Sequence, residues 1–246
     1  MLSLSPSKIK TYLLCPFQYK CDCDTETRKR YFRDSPALTF GNLVHAALND
    51  LYKRTPKEER SLDKLREIFK AKYMVHKKKH DKIFGSKEKV IEYVLKARKM
   101  FEYFCQSEFF DANPFSTEDY PRCKMSSDLE ISGKFDRLDL VGDQLTIIDY
   151  KTGTIREDDS DPFQLDFYEL LVQLVYPNYQ VTRKVYYFLG DNKIIEFPVK
   201  ANSISELREK VLNIAEHISS TVNFEANQND KCRFCNYHEI CPLREG

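Results

Sequence analysis

Leu145-Thr146-Ile147-Ile148-Asp149-Tyr150-Lys151 is the stretch on which the fold turns. Its β-branched and aromatic residues have the composition of a strand, and its charges gather at the far end. Residues i and i+2 of a strand share a face, so Asp149 and Lys151 project together. Just upstream, Gly142-Asp143 reads as a hairpin turn, and before it Lys134-Phe135-Asp136-Arg137-Leu138-Asp139-Leu140 alternates as a second strand. Pairing these strands brings Asp136 towards Asp149. Two neighbouring carboxylates repel unless a cation lies between them, and Mg²⁺ or Mn²⁺ is the oxygen-seeking choice. A lysine beside such a cation positions water and offsets charge developing on a phosphate. Asp139 falls on the opposite face from Asp136 by its odd spacing and reads as structural. Taken alone, Asp-x-Lys is also an ordinary surface ion pair.

Outward from this hairpin, Leu129-Glu130-Ile131-Ser132 alternates too, so three strands follow one another as an expected antiparallel meander. Pro162 opens a helix from Phe163 to about Tyr176, with Gln164 and Tyr168 on one face. A second hairpin, Val185–Leu189 with Ile194–Phe197, surrounds Gly190-Asp191-Asn192. Ser203 and Glu206 have capping-box spacing ahead of a helix carrying Leu207, Val211, Ile214, Ala215 and Ile218.

Upstream, Ser5 and Pro6 begin a helix that stops near Cys15-Pro16. Phe40, Leu43, Val44, Ala47, Leu48 and Leu51 form one apolar helical stripe between about 40 and 54, with His45 on its flank. Residues 61–110 read as helix in two pieces, broken around His80–Gly85, with Pro114 and Pro121 ending that region. The expectation is an α/β fold in one domain over 1–246. A central mixed sheet from strands near 128–151 and 184–198 is flanked by helices 40–54 and 163–176, and a helical insertion covers about 55–120.

The chain has 246 residues, with 39 Lys plus Arg against 38 Asp plus Glu and a formal net charge of +1. Bulk charge therefore excludes a polybasic nucleic-acid tail, leaving only local patches. One such patch is Lys8, Lys10, Lys20, Arg28, Lys29, Arg30 and Arg33, interleaved with Tyr12, Phe17, Tyr19 and Tyr31. With 17 Phe and 15 Tyr the chain buries too much apolar area to be disordered. It offers no run of about 20 apolar residues to cross a membrane. The N-terminus lacks the pattern of a secretory signal, which points to the reducing cytoplasm, where clustered cysteines bind metal more often than they form disulfides.

Taken together, Gly41-x-x-x-His45, Gly133-x-x-Asp136, Asp149-x-Lys151-Thr152-Gly153 and Gln164-x-x-x-Tyr168 resemble, in order, the motifs of RecB-like nucleases of the PD-(D/E)XK superfamily. The resemblance spans nearly the whole chain. It implies that His45, Asp136, Asp149 and the backbone carbonyl of Tyr150 bind Mg²⁺ or Mn²⁺. It further implies that Lys151 is catalytic, and that Gln164 and Tyr168 orient it and contact DNA.

Eight cysteines stand at 15, 21, 23, 105, 123, 232, 235 and 241. Cys232-x-x-Cys235-x5-Cys241 together with Cys15 could hold an iron–sulfur cluster or zinc. His238 would allow a local Cys₃His zinc site without Cys15, and Cys21 or Cys23 is an alternative fourth ligand. Cys105 reads as a helix core residue. One cysteine before the nuclease core and three after it is similar to AddB-type enzymes and to the nuclease of CRISPR spacer acquisition. That resemblance implies a 4Fe–4S cluster on Cys15, Cys232, Cys235 and Cys241, clamping the chain ends.

The expected function is a metal-dependent DNA nuclease, an exonuclease on single-stranded ends in repair, recombination or CRISPR adaptation. Its expected partners are DNA and, since no helicase motif is present, a helicase or a CRISPR integration complex. The competing expectation is a non-catalytic nucleic-acid-binding or scaffold protein on the same fold, with zinc in place of the cluster.

Overall fold

A computed structural model describes residues 1–155, 161–200 and 203–244. Its backbone gathers into two compact units, one made of Met1–Arg33, Arg122–Gly133 and Asn202–Gly246, the other of Asp34–Pro121 and Lys134–Ala201. Among the described residues no helix is long and apolar enough to cross a membrane. The architecture is the mixed α/β one expected.

The larger unit is built on a five-stranded mixed sheet. Its strands are β2 (Ser116–Asp119), β5 (Phe135–Val141), β6 (Gln144–Lys151), β7 (Gln180–Phe188) and β8 (Lys193–Phe197), in the order β2-β5-β6-β7-β8. Gly142 turns the β5–β6 hairpin with φ +64°, a left-handed conformation that an L side chain resists. The pair then runs antiparallel from Val141 opposite Gln144 to Arg137 opposite Ile148. Helix α8 (Phe163–Val175) carries the chain back, so β7 lies parallel to β6, with Asp149 beside Tyr186.

On one face of this sheet, Ile148, Tyr150, Val185 and Tyr187 share a core with four helices. These are α4 (Pro36–Arg54), α5 (Leu62–Val75), α6 (Lys77–Phe84) and α7 (Lys87–Cys105). Alternation sends Asp149 and Lys151 to the opposite face, where α8 meets them. Helix α8 is apolar on most sides and buries Leu165, Phe167, Leu171 and Val172. A charged cluster is also buried there: Lys184 Nζ donates to Asp166 at 2.6 Å and to Glu169 at 2.5 Å.

The smaller unit holds a three-stranded sheet, β1 (Leu2–Leu4), β4 (Leu129–Ser132) and β3 (Arg122–Lys124), in the order β1-β4-β3. Around it lie α1 (Pro6–Leu14), α2 (Pro16–Cys23), α3 (Thr25–Tyr31) and α9 (Ser203–Ser220). Tyr12 ties α1 to α9, its hydroxyl meeting His217 Nδ1 at 2.6 Å and Thr221 at 3.0 Å. The Tyr237 hydroxyl donates to Asp22 at 2.6 Å and fastens the C-terminal segment to α2.

Several local expectations need correction. The meander contains only β5 and β6. Strand β4 has both edges taken, by β1 in parallel and β3 in antiparallel fashion, and does not enter the main sheet. The region 61–110 holds three helices rather than two, because the chain leaves helical geometry at His76 and again at Gly85, whose φ is +82°. Helix α4 starts four residues early, at Pro36, with the Ser35 side chain accepting from the Leu38 N–H. The capping-box side chain of Ser203 lies outside the described residues.

Candidate active site

Four elements of the larger unit bring the motif side chains together. Continuing the β5–β6 register by one step sets Asp136 opposite Asp149. Asp136 uses both oxygens: Oδ1 accepts from His45 Nδ1 at 2.9 Å, and Oδ2 accepts from the Tyr150 backbone N–H at 2.8 Å. His45 arrives from α4 with its ring edge-on to Tyr150. Asp149 is 3% exposed. Its Oδ2 meets Lys151 Nζ at 2.6 Å, and its Oδ1 accepts from Gln164 Nε2 at 2.8 Å.

Lys151 is thus held from two sides. Its Nζ also donates to Gln164 Oε1 at 3.1 Å and lies 4.4 Å from the centre of the Tyr186 ring. Gln164 Nε2 bonds the Tyr168 hydroxyl as well, at 2.9 Å, and Tyr168 donates to the Lys134 carbonyl at 2.7 Å. One amide therefore orients the lysine and the second carboxylate together. Burial, and then the charge of Asp136, push the Asp149 carboxyl up to about 6 despite Lys151 beside it. For His45, burial pulls the imidazolium down, but Asp136, with Asp149 and Glu118 farther off, outweighs it and leaves the group raised.

Asp139 faces away, as its spacing requires. It forms a two-point ion pair with Arg137, at 2.6 and 2.8 Å. The fully buried Arg137 stacks on Tyr52, 4.6 Å from the ring centre. This is a structural pair beneath the site.

The arrangement of two facing carboxylates, a lysine two residues after the second, and a histidine and a glutamine from flanking helices spans β5, β6, α4 and α8. A family model for the PD-(D/E)XK nuclease superfamily matches residues 3–242. The chain belongs to the PD-(D/E)XK nuclease superfamily. Among solved structures, the chain is similar in fold to a candidate exonuclease of Eubacterium rectale. That match has a TM-score of 0.56 and 13% identity, and covers 96% of this chain and 87% of the other. Among curated proteins, the Gene 69 protein of Mycobacterium phage D29 is 27% identical over 118 residues. This stretch is 46% of this chain and 43% of the phage protein, so the match spans less than half of that relative.

Reading this PD-(D/E)XK chain by its motifs misses one acid. Ligand atoms of His45, Glu118 and Asp136 all lie within 4.8 Å of one another. Glu118 sits in β2, and the register that pairs Thr117 with Arg137 and Asp119 with Phe135 leaves it opposite Asp136. Its only legible signal was a short polar stretch between Pro114 and Pro121, too brief to show a period.

Seven of the superfamily member's eight cysteines lie in its smaller unit. Cys235 senses Cys15, Cys232 and Cys241 electrostatically, and burial is the first cause of its raised pKa. Cys21 is also near, its thiol pushed up to about 11 by burial and then by Cys235. Backbone N–H groups point at two sulfurs, Asn227 at Cys15 (3.5 Å) and Asn229 at Cys232 (3.3 Å). Zinc–sulfur bonds of about 2.3 Å put tetrahedral thiolates roughly 3.8 Å apart. Among the described residues, the set of three or more ligands within 4.8 Å is the His45 group and not the cysteines. Cys105 stands elsewhere, at the end of α7, its thiol raised to about 11 by burial.

Proposed function

We propose that this chain is a Mg²⁺- or Mn²⁺-dependent deoxyribonuclease, an exonuclease acting on single-stranded ends. The observation that carries the reading is the Asp149–Lys151–Gln164 cluster facing Asp136. Such an arrangement costs free energy through neighbouring like charges. His45, Asp136, Asp149 and the Tyr150 carbonyl would hold the cation. When bound, a divalent cation supplies a water of lowered pKa and neutralises charge on the phosphate.

The chain's own groups account for the remaining chemistry. Hydrolysis adds water to phosphorus and breaks one P–O bond, leaving an alcohol and a phosphate monoester. An ammonium has three donors, and Lys151 directs two of them to Asp149 and Gln164. The third is left for a phosphate oxygen, where it stabilises charge that grows in the transition state. Gln164 keeps the amine from swinging, and Tyr168 keeps Gln164 from flipping. Asp136 is pinned by the Tyr150 amide, so its carboxylate is oriented before any ligand arrives.

Support for an exonuclease comes from the fold shared with the Eubacterium rectale protein, and for nucleic-acid binding from the basic N-terminal residues; Tyr12 and Tyr19 are buried there and do not serve as stacking platforms. We further propose a 4Fe–4S cluster on Cys15, Cys232, Cys235 and Cys241 that braces the smaller unit, and a cytoplasmic role in repair, recombination or CRISPR adaptation beside a helicase or integration complex. The test is degradation of end-labelled single- and double-stranded DNA. Mononucleotide release from single strands with Mg²⁺ or Mn²⁺, abolished by EDTA, is expected. An inert protein that still binds DNA would overturn the enzyme reading in favour of a scaffold.

A further inference from the structure

Three carboxylates stand in one row across neighbouring strands. Register places Glu118 of β2 opposite Asp136 of β5, and Asp136 opposite Asp149 of β6. Asp149 already has Lys151 and Gln164 as partners. Glu118 has Lys134, at 2.8 Å, but that lysine side chain is 52% exposed while Glu118 is 17% exposed. An exposed lysine is a loosely held partner, easily exchanged for another cation.

The position of Glu118 is built in. Its backbone is left-handed, with φ +47°, a conformation costly for a residue bearing a Cβ and kept only where surroundings enforce it. The enforcement comes from next door: the Thr117 hydroxyl donates to Asn49 Oδ1 at 2.8 Å. Asn49 lies one turn after His45 on α4 and so shares its face. One contact thus fixes β2 against the helix face that presents the histidine. The neighbouring Asp119 is committed elsewhere, accepting from the Tyr176 hydroxyl at 3.0 Å.

We propose that Glu118 is a metal ligand, closing with His45 and Asp136 a nitrogen–oxygen–oxygen set that holds Mn²⁺ in preference to Mg²⁺. The inference rests on the metal-dependent reading above and adds a ligand that the motifs do not contain. Preference follows from donor chemistry. Mg²⁺ is hard, favours oxygen and parts reluctantly with water, whereas a transition ion accepts imidazole more readily. Lys134 is then a placeholder for the cation, released towards solvent when the ion binds.

Mn²⁺ alone, without DNA, is the probe, its loss of free-ion electron paramagnetic resonance signal reporting binding. Four variants are compared with the unsubstituted protein: Glu118→Gln, Glu118→Gly, Lys134→Met and Asp149→Asn. Glu118→Gly removes the carboxylate and suits the positive φ, so it guards against a folding artefact in Glu118→Gln. Both Glu118 variants should weaken Mn²⁺ at least tenfold, whereas Lys134→Met should bind it as tightly or more so. Mg²⁺ should displace Mn²⁺ from the unsubstituted protein only in large excess. Equal Mn²⁺ affinity with and without the Glu118 carboxylate would overturn the proposal, as would a loss in Lys134→Met matching that in Glu118→Gln. Displacement by equimolar Mg²⁺ would overturn the preference. If the unsubstituted protein binds no Mn²⁺, the metal-dependent reading falls too. If it binds and Asp149→Asn weakens it while the Glu118 variants do not, only the present inference falls.

Discussion

The Tyr150 backbone N–H donates to Asp136 Oδ2 at 2.8 Å, so the two central strands are joined at this point by a side chain in place of a ladder bond. The β5–β6 ladder ends at Arg137 and Ile148. One residue farther, the carboxylate takes over the amide. The site therefore sits where this strand pair comes apart, and the Tyr150 donor stays satisfied there.

This relationship predicts that Asp136→Ala is worse than a lost ligand. It strands the Tyr150 amide in a buried setting, at a cost of about 1–3 kcal/mol. Asp136→Asn, whose amide oxygen still accepts, should fold nearly as well and be equally inactive. Urea unfolding separates the two; identical stabilities would contradict the assigned role of the bond.

Asp149 makes stability depend on pH in the metal-free protein. Its folded pKa of about 6 lies above the ordinary 3.8, so the folded state binds a proton more tightly than the unfolded chain. That contribution is full below the ordinary value and is lost as pH rises through about 6. Asp149→Asn should therefore stabilise the protein near pH 7.5 by about 1–2 kcal/mol, raising the melting temperature by roughly 2–8 °C. The gain should shrink towards pH 4, while nuclease activity is abolished. A variant no more stable than the parent at pH 7.5 would count against like-charge strain at the site.

Lys151→Ala should separate binding from turnover. The carboxylates remain, so Mn²⁺ affinity is kept or improved, while cleavage of end-labelled DNA falls by at least a hundredfold, the scale of a lost transition-state donor. Weakened Mn²⁺ binding would instead make the lysine a structural counter-ion.

The buried Lys184 triad gives a test of the fold apart from the site. Lys184→Met leaves Glu169, 1% exposed, without its cation, and should cost about 3–5 kcal/mol. Pairing it with Glu169→Leu should recover much of that loss. A double variant as unstable as the single one would show that the charges are not energetically coupled.

The iron–sulfur cluster proposed above predicts a brown protein in which Cys232→Ser loses the absorbance and lowers the melting temperature, whereas Cys105→Ser does neither; a colourless unsubstituted protein would contradict it. Retained metal in Cys15→Ser with loss in His238→Ala would establish the local zinc site instead.

How far the sequence could be read follows from what periodicity reports. The β5–β6 hairpin was legible because Leu138, Leu145 and Ile147 alternate with polar residues around a glycine turn. The pairing of Asp136, Asp149 and Lys151 followed from it. Alternation marks a strand but not its neighbour, so β4 was assigned to the wrong sheet. Helix α3 was missed because none of its residues is buried; its cap is Asp24, accepting from Thr27, and no apolar stripe announces it. Glu118 was missed for a different reason. A four-residue strand with a left-handed residue has no period to detect, and only the fold brings it to His45. The burial of Lys184 and Arg137 is not legible in the sequence, because pairing in the core leaves no mark on the local pattern.

The smaller unit draws on both ends of the chain, and this bears on how the protein is made. Cys15 emerges from the ribosome long before Cys232, 217 positions later. At 5–20 residues per second, that gap lasts roughly 10–40 s. Throughout it, α1 and α2 lack the Glu225 carbonyl that accepts from Phe17 and the Tyr237 hydroxyl that reaches Asp22. The Cys15 thiol, 7% exposed in the finished fold, meanwhile has no C-terminal segment to cover it. A nascent chain stalled after residue 220 should thus label at Cys15 with a thiol reagent that the completed protein resists, because the segment that covers Cys15 follows even the last strand of the larger unit, which ends at Phe197.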